Sequence, residues 1–258
     1  MIIRKYGEDS DVVRVRIYGD FPKGSLDSFI SLEIVEFARN IKIPLSKIKS
    51  IREGHIGVDV ARFGDDSTII FPRIGPKGME FSKYNKQDTM ATTGNVIRKA
   101  KDMLKEFPHL KRIVIKVDDT GVGGGVTDRL REVVSEDRLP FEIVPVNNGE
   151  SSSDDYYANK GTEIWGDIRE MLEKNVSNSV NGLPPEIEIP DNPTLIKELS
   201  TRKFKMTSSG KIRLESKEDM KKRNVGSPDI ADALTLAFYV PPTKKATFKE
   251  QPDWLQRR

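Results

Sequence analysis

The stretch His55-Ile56-Gly57-Val58-Asp59-Val60-Ala61 constrains the fold more than any other part of the chain. One acidic residue stands between apolar flanks. A turn, Arg62-Phe63-Gly64-Asp65-Asp66, then leads into a second β-type run, Ser67-Thr68-Ile69-Ile70-Phe71. This pattern predicts a central strand carrying Asp59, a Gly-Asp turn and a paired strand. A strand apolar on both faces is a buried one, and a buried carboxylate is costly unless it is paired or binds a metal. A lone Asp that caps a turn or pairs with a lysine would also satisfy the requirement. The decision rests on what else reaches the same place.

Composition narrows the chemistry. The 258 residues are 36% apolar and 32% charged, ample for one large or two small globular domains with a buried core. There is no cysteine, which removes disulfides, thiolate nucleophiles and Cys-based zinc sites together and fits a reducing cytosol. The two histidines, His55 and His109, argue against a His-dependent triad or a His-rich metal site. A net charge of +3 does not by itself point to nucleic acid. No apolar run approaches a membrane span, and Met1-Ile2-Ile3-Arg4 does not open a signal peptide. Any acid–base or metal chemistry therefore rests on carboxylates.

Along the chain, Val12 to Ile17 is strand-like, and residues 28–40 have helical spacing that ends near Pro44. From His55 the pattern is α/β. Strands are expected near 55–61, 66–73 and 78–84, followed by a helix at 91–106. A strand at 112–119 ends on Asp118-Asp119, Gly121 to Gly125 turn the chain, and a helix follows at 126–134. A strand at 141–146, a Ser- and Asp-rich loop at 149–155 and a helix at 156–174 come next. A short helix opens at Pro193. Residues 203–207 and 211–214 flank Ser208-Ser209-Gly210 and read as a β-hairpin. A charged helix at 217–223 precedes Ser227-Pro228-Asp229, the start signal for a last helix with Ile230, Ala233, Leu234, Ala237 and Phe238 on one face. Pro241-Pro242 stops it, and the tail 243–258 is expected to be mobile.

Three acidic sites far apart in sequence carry the chemistry. Asp59 lies on the first core strand, Asp118 with Asp119 ends another, and Asp229 and Asp232 are spaced i, i+3 at a helix start, so both can face one way. A parallel pair with a right-handed crossover would make the Asp59 and Asp118 strands neighbours. Carboxylates that meet without His or Cys are hard oxygen ligands suited to Mg2+ or Mn2+, and a divalent ion relieves their mutual repulsion. Two such ions can activate water and stabilise the leaving oxygen in phosphodiester hydrolysis. Each residue also has a plainer use. Asp229 is a good first-turn residue for a helix, and Asp119 can simply cap the glycine turn. The glycine run after Asp119 fails as a dinucleotide fingerprint, since Val126 stands where the last glycine belongs. Lys217, Lys221, Lys222 and Arg223 form either a solvated helix face or, beside a carboxylate cluster, contacts to DNA phosphates.

Three ordered motifs together resemble the nuclease domain of the large terminase subunit of tailed bacteriophages, the DNA-packaging motor. They are Val58 to Thr68, Val117 to Val126, and Leu214 to Lys217 continuing through Ser227-Pro228-Asp229-Ile230-Ala231-Asp232-Ala233-Leu234. The lead-in Tyr6-Gly7-Glu8-Asp9-Ser10-Asp11 is similar to that family's junction after its ATPase domain. The resemblance implies a ribonuclease H-like α/β fold: a mixed five-stranded sheet of order 3-2-1-4-5, strand 2 antiparallel, with helices on both faces and an added hairpin near the active site. It implies residues 1–50 as a lead-in following a missing ATPase domain, 51–242 as the nuclease domain, and 243–258 as the tail.

The implied activity is metal-dependent endonuclease cutting of concatemeric double-stranded viral DNA in the host cytoplasm. The implied cofactors are two Mg2+ or Mn2+ ions, and the implied partners are the ATPase domain, the small terminase subunit and the portal, with no membrane. By position, Asp59 and Asp118 are implied ligands. Family members differ over the positions matching Asp229 and Asp232, so both are carried, and Asp119 remains possible. The rival readings are a non-catalytic DNA- or portal-docking module and a junction-resolving nuclease of the same fold. Nothing in the chain resembles a base-reading element, so weak sequence preference is expected.

Overall fold

The computed structural model describes residues 28–61, 67–121 and 123–241. The strand-like run at 12–17, the turn at 62–66, Val122 and the tail lie outside them. In chain order the elements are α1 (Leu32–Arg39), α2 (Leu45–Ile48), β1 (Glu53–Asp59), β2 (Ser67–Ile74), β3 (Lys77–Gly78) and β4 (Ser82–Asn85). Then come α3 (Thr89–Glu106), β5 (Arg112–Asp118), α4 (Gly123–Glu136), β6 (Phe141–Val146), α5 (Lys160–Val180) and α6 (Pro193–Thr201). The chain closes with β7 (Phe204–Met206), β8 (Ile212–Leu214), α7 (Lys217–Lys222) and α8 (Asp229–Phe238).

β1 is the centre of a mixed sheet, antiparallel to β2 and parallel to β5, with β6 parallel on the outer side of β5. β7 and β8 form the separate hairpin. This is the expected ribonuclease H-like arrangement, with one correction. Among the described residues the sheet has six strands, not five, because the edge beyond β2 is split into β3 and β4. The split lies opposite Pro72. In an antiparallel ladder the N–H and C=O of one residue face the same neighbour. The Pro72 carbonyl accepts the Met79 N–H at 3.0 Å, so its nitrogen, which has no hydrogen to donate, faces that same edge. The register slips by one residue across the gap, as at a bulge.

The sheet buries both faces. On one, Val96, Ala100 and Met103 of α3 and Val126 and Leu130 of α4 pack against Ile56, Val58, Ile113, Ile115 and Val117. On the other, Trp165, Ile168 and Leu172 of α5, Leu195 and Leu199 of α6, and α8 meet Ile69 and Phe71. Phe29, Ile30, Val35 and Ala38, read in the sequence as lead-in, are buried in that same cluster. α5 starts later than the spacing suggests because Asn159 accepts the Thr162 N–H at 3.0 Å and fixes the first turn. α4 begins within the glycine run: a Cβ at Gly123 would stand 1.7 Å from the Asp118 carbonyl oxygen, so the glycine serves close packing of the helix on the strand end.

Strand alternation gives His55, Gly57 and Asp59 to the α8 face. A Cβ at Gly57 would stand 2.0 Å from the Ala233 carbonyl oxygen and 2.4 Å from the Ala237 nitrogen, so α8 lies directly on the β1 backbone. The helix is fixed at both ends. Glu198 accepts the Ala231 N–H at 2.9 Å, while Lys116 Nζ and Arg73 Nε donate to the Ala237 carbonyl at 2.9 and 2.5 Å. Each contact matches the helix dipole. Gly57→Ala is therefore expected to cost about 3 kcal/mol in urea unfolding. Gly94→Ala, at an open position inside α3, should instead stabilise by up to about 1 kcal/mol.

Candidate active site

The β1–β5 ladder runs in parallel from Glu53 opposite Arg112 to Val58 opposite Val117. Asp59 and Asp118 are the next residue on each strand, and alternation turns both toward the α8 face. α8 brings Asp229 and Asp232 to that edge from its first turn, where the helix dipole favours carboxylates. Asp59, Asp229 and Asp232 retain only 4%, 7% and 8% of their surface, so water does little to solvate them.

Their positive charge comes from α7. Lys217 Nζ stands 3.1 Å from Asp59 Oδ2, 3.3 Å from Asp229 Oδ1 and 3.1 Å from Asp232 Oδ2. The remaining oxygens are individually held. Asp229 Oδ2 accepts the Ser67 N–H at 3.0 Å, and its Oδ1 also takes the Ser227 hydroxyl. Asp232 Oδ1 accepts Trp165 Nε1 and Arg202 Nη1, each at 2.8 Å, with the Arg202 guanidinium 4.7 Å over the Trp165 ring. Asp118 accepts the Thr120 N–H and Asn148 Nδ2, each at 3.0 Å.

Burial pushes the Asp59 carboxyl well above its usual range. Lys217 opposes that shift, and Asp232, Asp229 and Asp118 reinforce it. Burial also acts to raise Asp232, but Arg202, Lys217 and Trp165 outweigh it and leave that carboxyl below its ordinary value. Lys217 is desolvated too, yet the three aspartates raise its ammonium well above the usual lysine range. The cluster is thus acidic groups in excess around one firmly charged ammonium.

Other sequence candidates fall elsewhere. Asp119 belongs to the opposite face of β5: a Cβ at Gly124 of α4 would lie 3.8 Å from its Oδ1, which is buried without a hydrogen-bond partner among the described residues. Of the basic run, Lys217 is inside the cluster, with part of its side chain in the wall of the adjoining cavity. Lys222 pairs with Asp219 at 2.9 Å and Arg223 with Glu215 at 2.6 Å. Trp165 is buried in the core, with its indole N–H spent on Asp232. Arg202, Ser67 and Asn148 carried no sequence signal, since each is recruited by a partner far along the chain.

Two cavities flank the cluster. One, of about 480 Å3, has Asp118, Asp232, Lys217, Arg202 and Arg213 in its wall. The other, of about 310 Å3, has Asp229 with Lys83, Lys197 and Lys221. Among the described residues no three acidic or histidine side chains close into a ready-made chelate; three aspartates gather instead around the Lys217 ammonium. The donor set nevertheless fits a hard divalent cation: three carboxylates offer oxygens to one point, and the ammonium there marks where a cation is stable. Lys217 keeps 31% of its side chain exposed, so it can swing out as an ion enters.

No protein-family model matches the chain, and no curated protein does either. Solved structures do match. The manganese- and β-thujaplicinol-bound nuclease domain of the large terminase subunit gp2 of bacterial virus Sf6, a lysine-to-alanine variant, superposes with a TM-score of 0.67 at 20% identity, covering 83% of this chain and 99% of that one. The Sf6 domain without that substitution gives 0.65 at 19% identity over 83% and 99%. A calcium-bound form gives 0.65 at 19% over 82% and 99%. The fold of this chain is that of the large terminase nuclease domains.

A divalent ion taking the oxygens that now hold Lys217 would have to displace its ammonium, so Lys217→Ala is expected to tighten Mn2+ binding by about tenfold, or about 1.4 kcal/mol, in calorimetric titration. Equal or weaker binding would mean that the ammonium is not a competitor.

Proposed function

We propose that this protein is a metal-dependent endonuclease that cuts concatemeric double-stranded viral DNA during genome packaging, working in the host cytoplasm with a packaging ATPase, a small terminase subunit and a portal. The observation that carries this reading is the convergence of Asp59 from β1 with Asp229 and Asp232 from α8, buried around a single ammonium between two open cavities. The fold shared with large terminase nuclease domains supports it. No helix among the described residues is long and apolar enough to cross a membrane.

Asp59, Asp229 and Asp232 would hold divalent ions, with Asp118 at the rim of the same cavity. Two bound Mg2+ or Mn2+ ions supply an activated water and charge stabilisation at a phosphodiester. The chain does the rest. Trp165 and Arg202 occupy Asp232 Oδ1, which leaves Oδ2 turned inward as a single, oriented donor. The Ser67 N–H does the same for Asp229, and Asn148 with the Thr120 N–H fixes the Asp118 carboxylate. Such supporting bonds hold ligands in one rotamer, so little reorganisation is left for the reaction itself. Lys217, once released from the aspartates, leaves its ammonium beside the cavity, where a phosphate oxygen is an alternative partner. The products would be 3′-hydroxyl and 5′-phosphate ends.

The test is cleavage of supercoiled plasmid in Mg2+ or Mn2+. The native protein should nick and then linearise it, and Asp59→Ala should lower the rate more than about a hundredfold while the fold is retained. Trp165→Phe, which deletes one hydrogen bond to Asp232 and keeps an aromatic ring of smaller size, should cost about tenfold. A native protein inactive with both ions would end the proposal. Activity undiminished in Asp59→Ala would move the chemistry elsewhere.

A further inference from the structure

The cavity beside Asp229 has a charge that the acidic cluster does not explain. Lys83 comes from the edge strand β4, Lys197 from α6 and Lys221 from α7. Three ammonium groups on three elements are not the solvated face of one helix. Lys83 and Lys197 are exposed and form no ion pair among the described residues. Of the two acids in the same wall, Glu198 is committed to the Ala231 N–H and Asp229 to the cluster. Thr194 and Thr201 add hydroxyls to the lining. The groove is therefore a run of positive charge that ends against the cluster's own Asp229.

We propose that this groove binds the phosphate backbone of double-stranded DNA, so that the strand to be cut runs from Lys83 and Lys197 across the aspartates toward Arg213 in the other cavity. This rests on the nuclease reading and deepens it by giving the substrate a path. Carboxylates alone repel a polyanion. A strand can lie over them only if cations on both sides hold its flanking phosphates. Arg213 is exposed on β8 and lines the cavity that contains Asp118 and Asp232, which provides the far side of that hold. Contacts of this kind position the duplex without reading bases.

The experiment is a duplex-binding titration with the whole chain, a short mixed-sequence DNA and no divalent ion, repeated between about 50 and 200 mM salt. Lys83→Ala with Lys197→Ala should lower the slope of log K against log salt by about 2 and weaken binding at least about tenfold at the low-salt end. Charge reversal, Lys83→Glu with Lys197→Glu, should abolish binding. Lys42→Ala with Lys99→Ala, in a separate cavity that meets β2 at Pro72, should leave the slope as in the native protein. An alanine pair with the native slope overturns the groove, and so does a native chain that binds no duplex. Plasmid cleavage by the native protein would then still uphold the nuclease reading. Conversely, a native chain that binds through these lysines yet never cuts keeps the groove and rejects the nuclease.

Discussion

The contact of α8 with β1 at Gly57 is the constraint from which the site follows. A helix packed on a sheet through ordinary side chains stands about 10 Å off it, whereas here the Ala233 carbonyl and the Ala237 nitrogen approach the strand backbone itself. Only at that range does the first turn of α8 drop its two carboxylates beside the last residue of β1. The same closeness removes water from them, so each must find a protein partner or a cation. Proximity and desolvation are thus one structural decision, and the Lys217 ammonium is its immediate consequence.

The charge along α8 is arranged as its dipole favours. Asp229 and Asp232 occupy the positive end, and the buried Arg73 guanidinium and Lys116 amine donate to the carbonyl of Ala237 at the negative end. Burial lowers both groups, Lys116 to about 6 and Arg73 to about 10. The lysine loses little by this, because a neutral amine still donates to a carbonyl. The arginine, held also by Gly75 O at 2.7 Å and stacked 4.8 Å from the Phe238 ring, keeps its charge. Together with Glu198 at the first turn, these contacts leave α8 little freedom to slide along β1. A slide of even one residue would carry Asp232 away from Trp165 and Arg202.

Much of the architecture was legible in the sequence because it is written in local periodicity. Alternation around Asp59 and Asp118, the i, i+3 spacing of Asp229 and Asp232, and the Ser-Pro-Asp start are short-range signals, and the sheet order follows from them with the resemblance. The failures share a cause. Pro72 splits an edge strand through the one neighbour that its missing N–H faces, which requires knowing the pairing. Lys217 reads in the sequence as a solvated helix face or a phosphate contact, and its place among Asp59, Asp229 and Asp232 is not visible there because Asp59 lies 158 positions away. Trp165 and Arg202 act on Asp232 from other elements, and Lys83 and Lys197 converge with Lys221 only in three dimensions. Long-range electrostatics leaves no trace in a window of ten residues.

That electrostatic arrangement also separates folding from chemistry. Where a metal site supplies the folding energy, the chain without its ion unfolds. Here the Lys217 ammonium, Arg202, the Trp165 indole and the Ser67 N–H satisfy Asp229 and Asp232 from within the chain, so the site has its shape without an ion. A divalent ion held by these aspartates would replace an ammonium whose side chain keeps 31% exposure, and the stabilisation it added would follow from its concentration relative to its dissociation constant. Because Lys217 begins α7 and Lys221 lies one turn later, the ammonium that yields its place and the lysine in the basic groove share a helix. A duplex drawn into the groove would press on the same helix whose first residue guards the aspartates. On the proposed reading, nucleic acid and the entering ion would therefore meet the same short helix, α7, above α8.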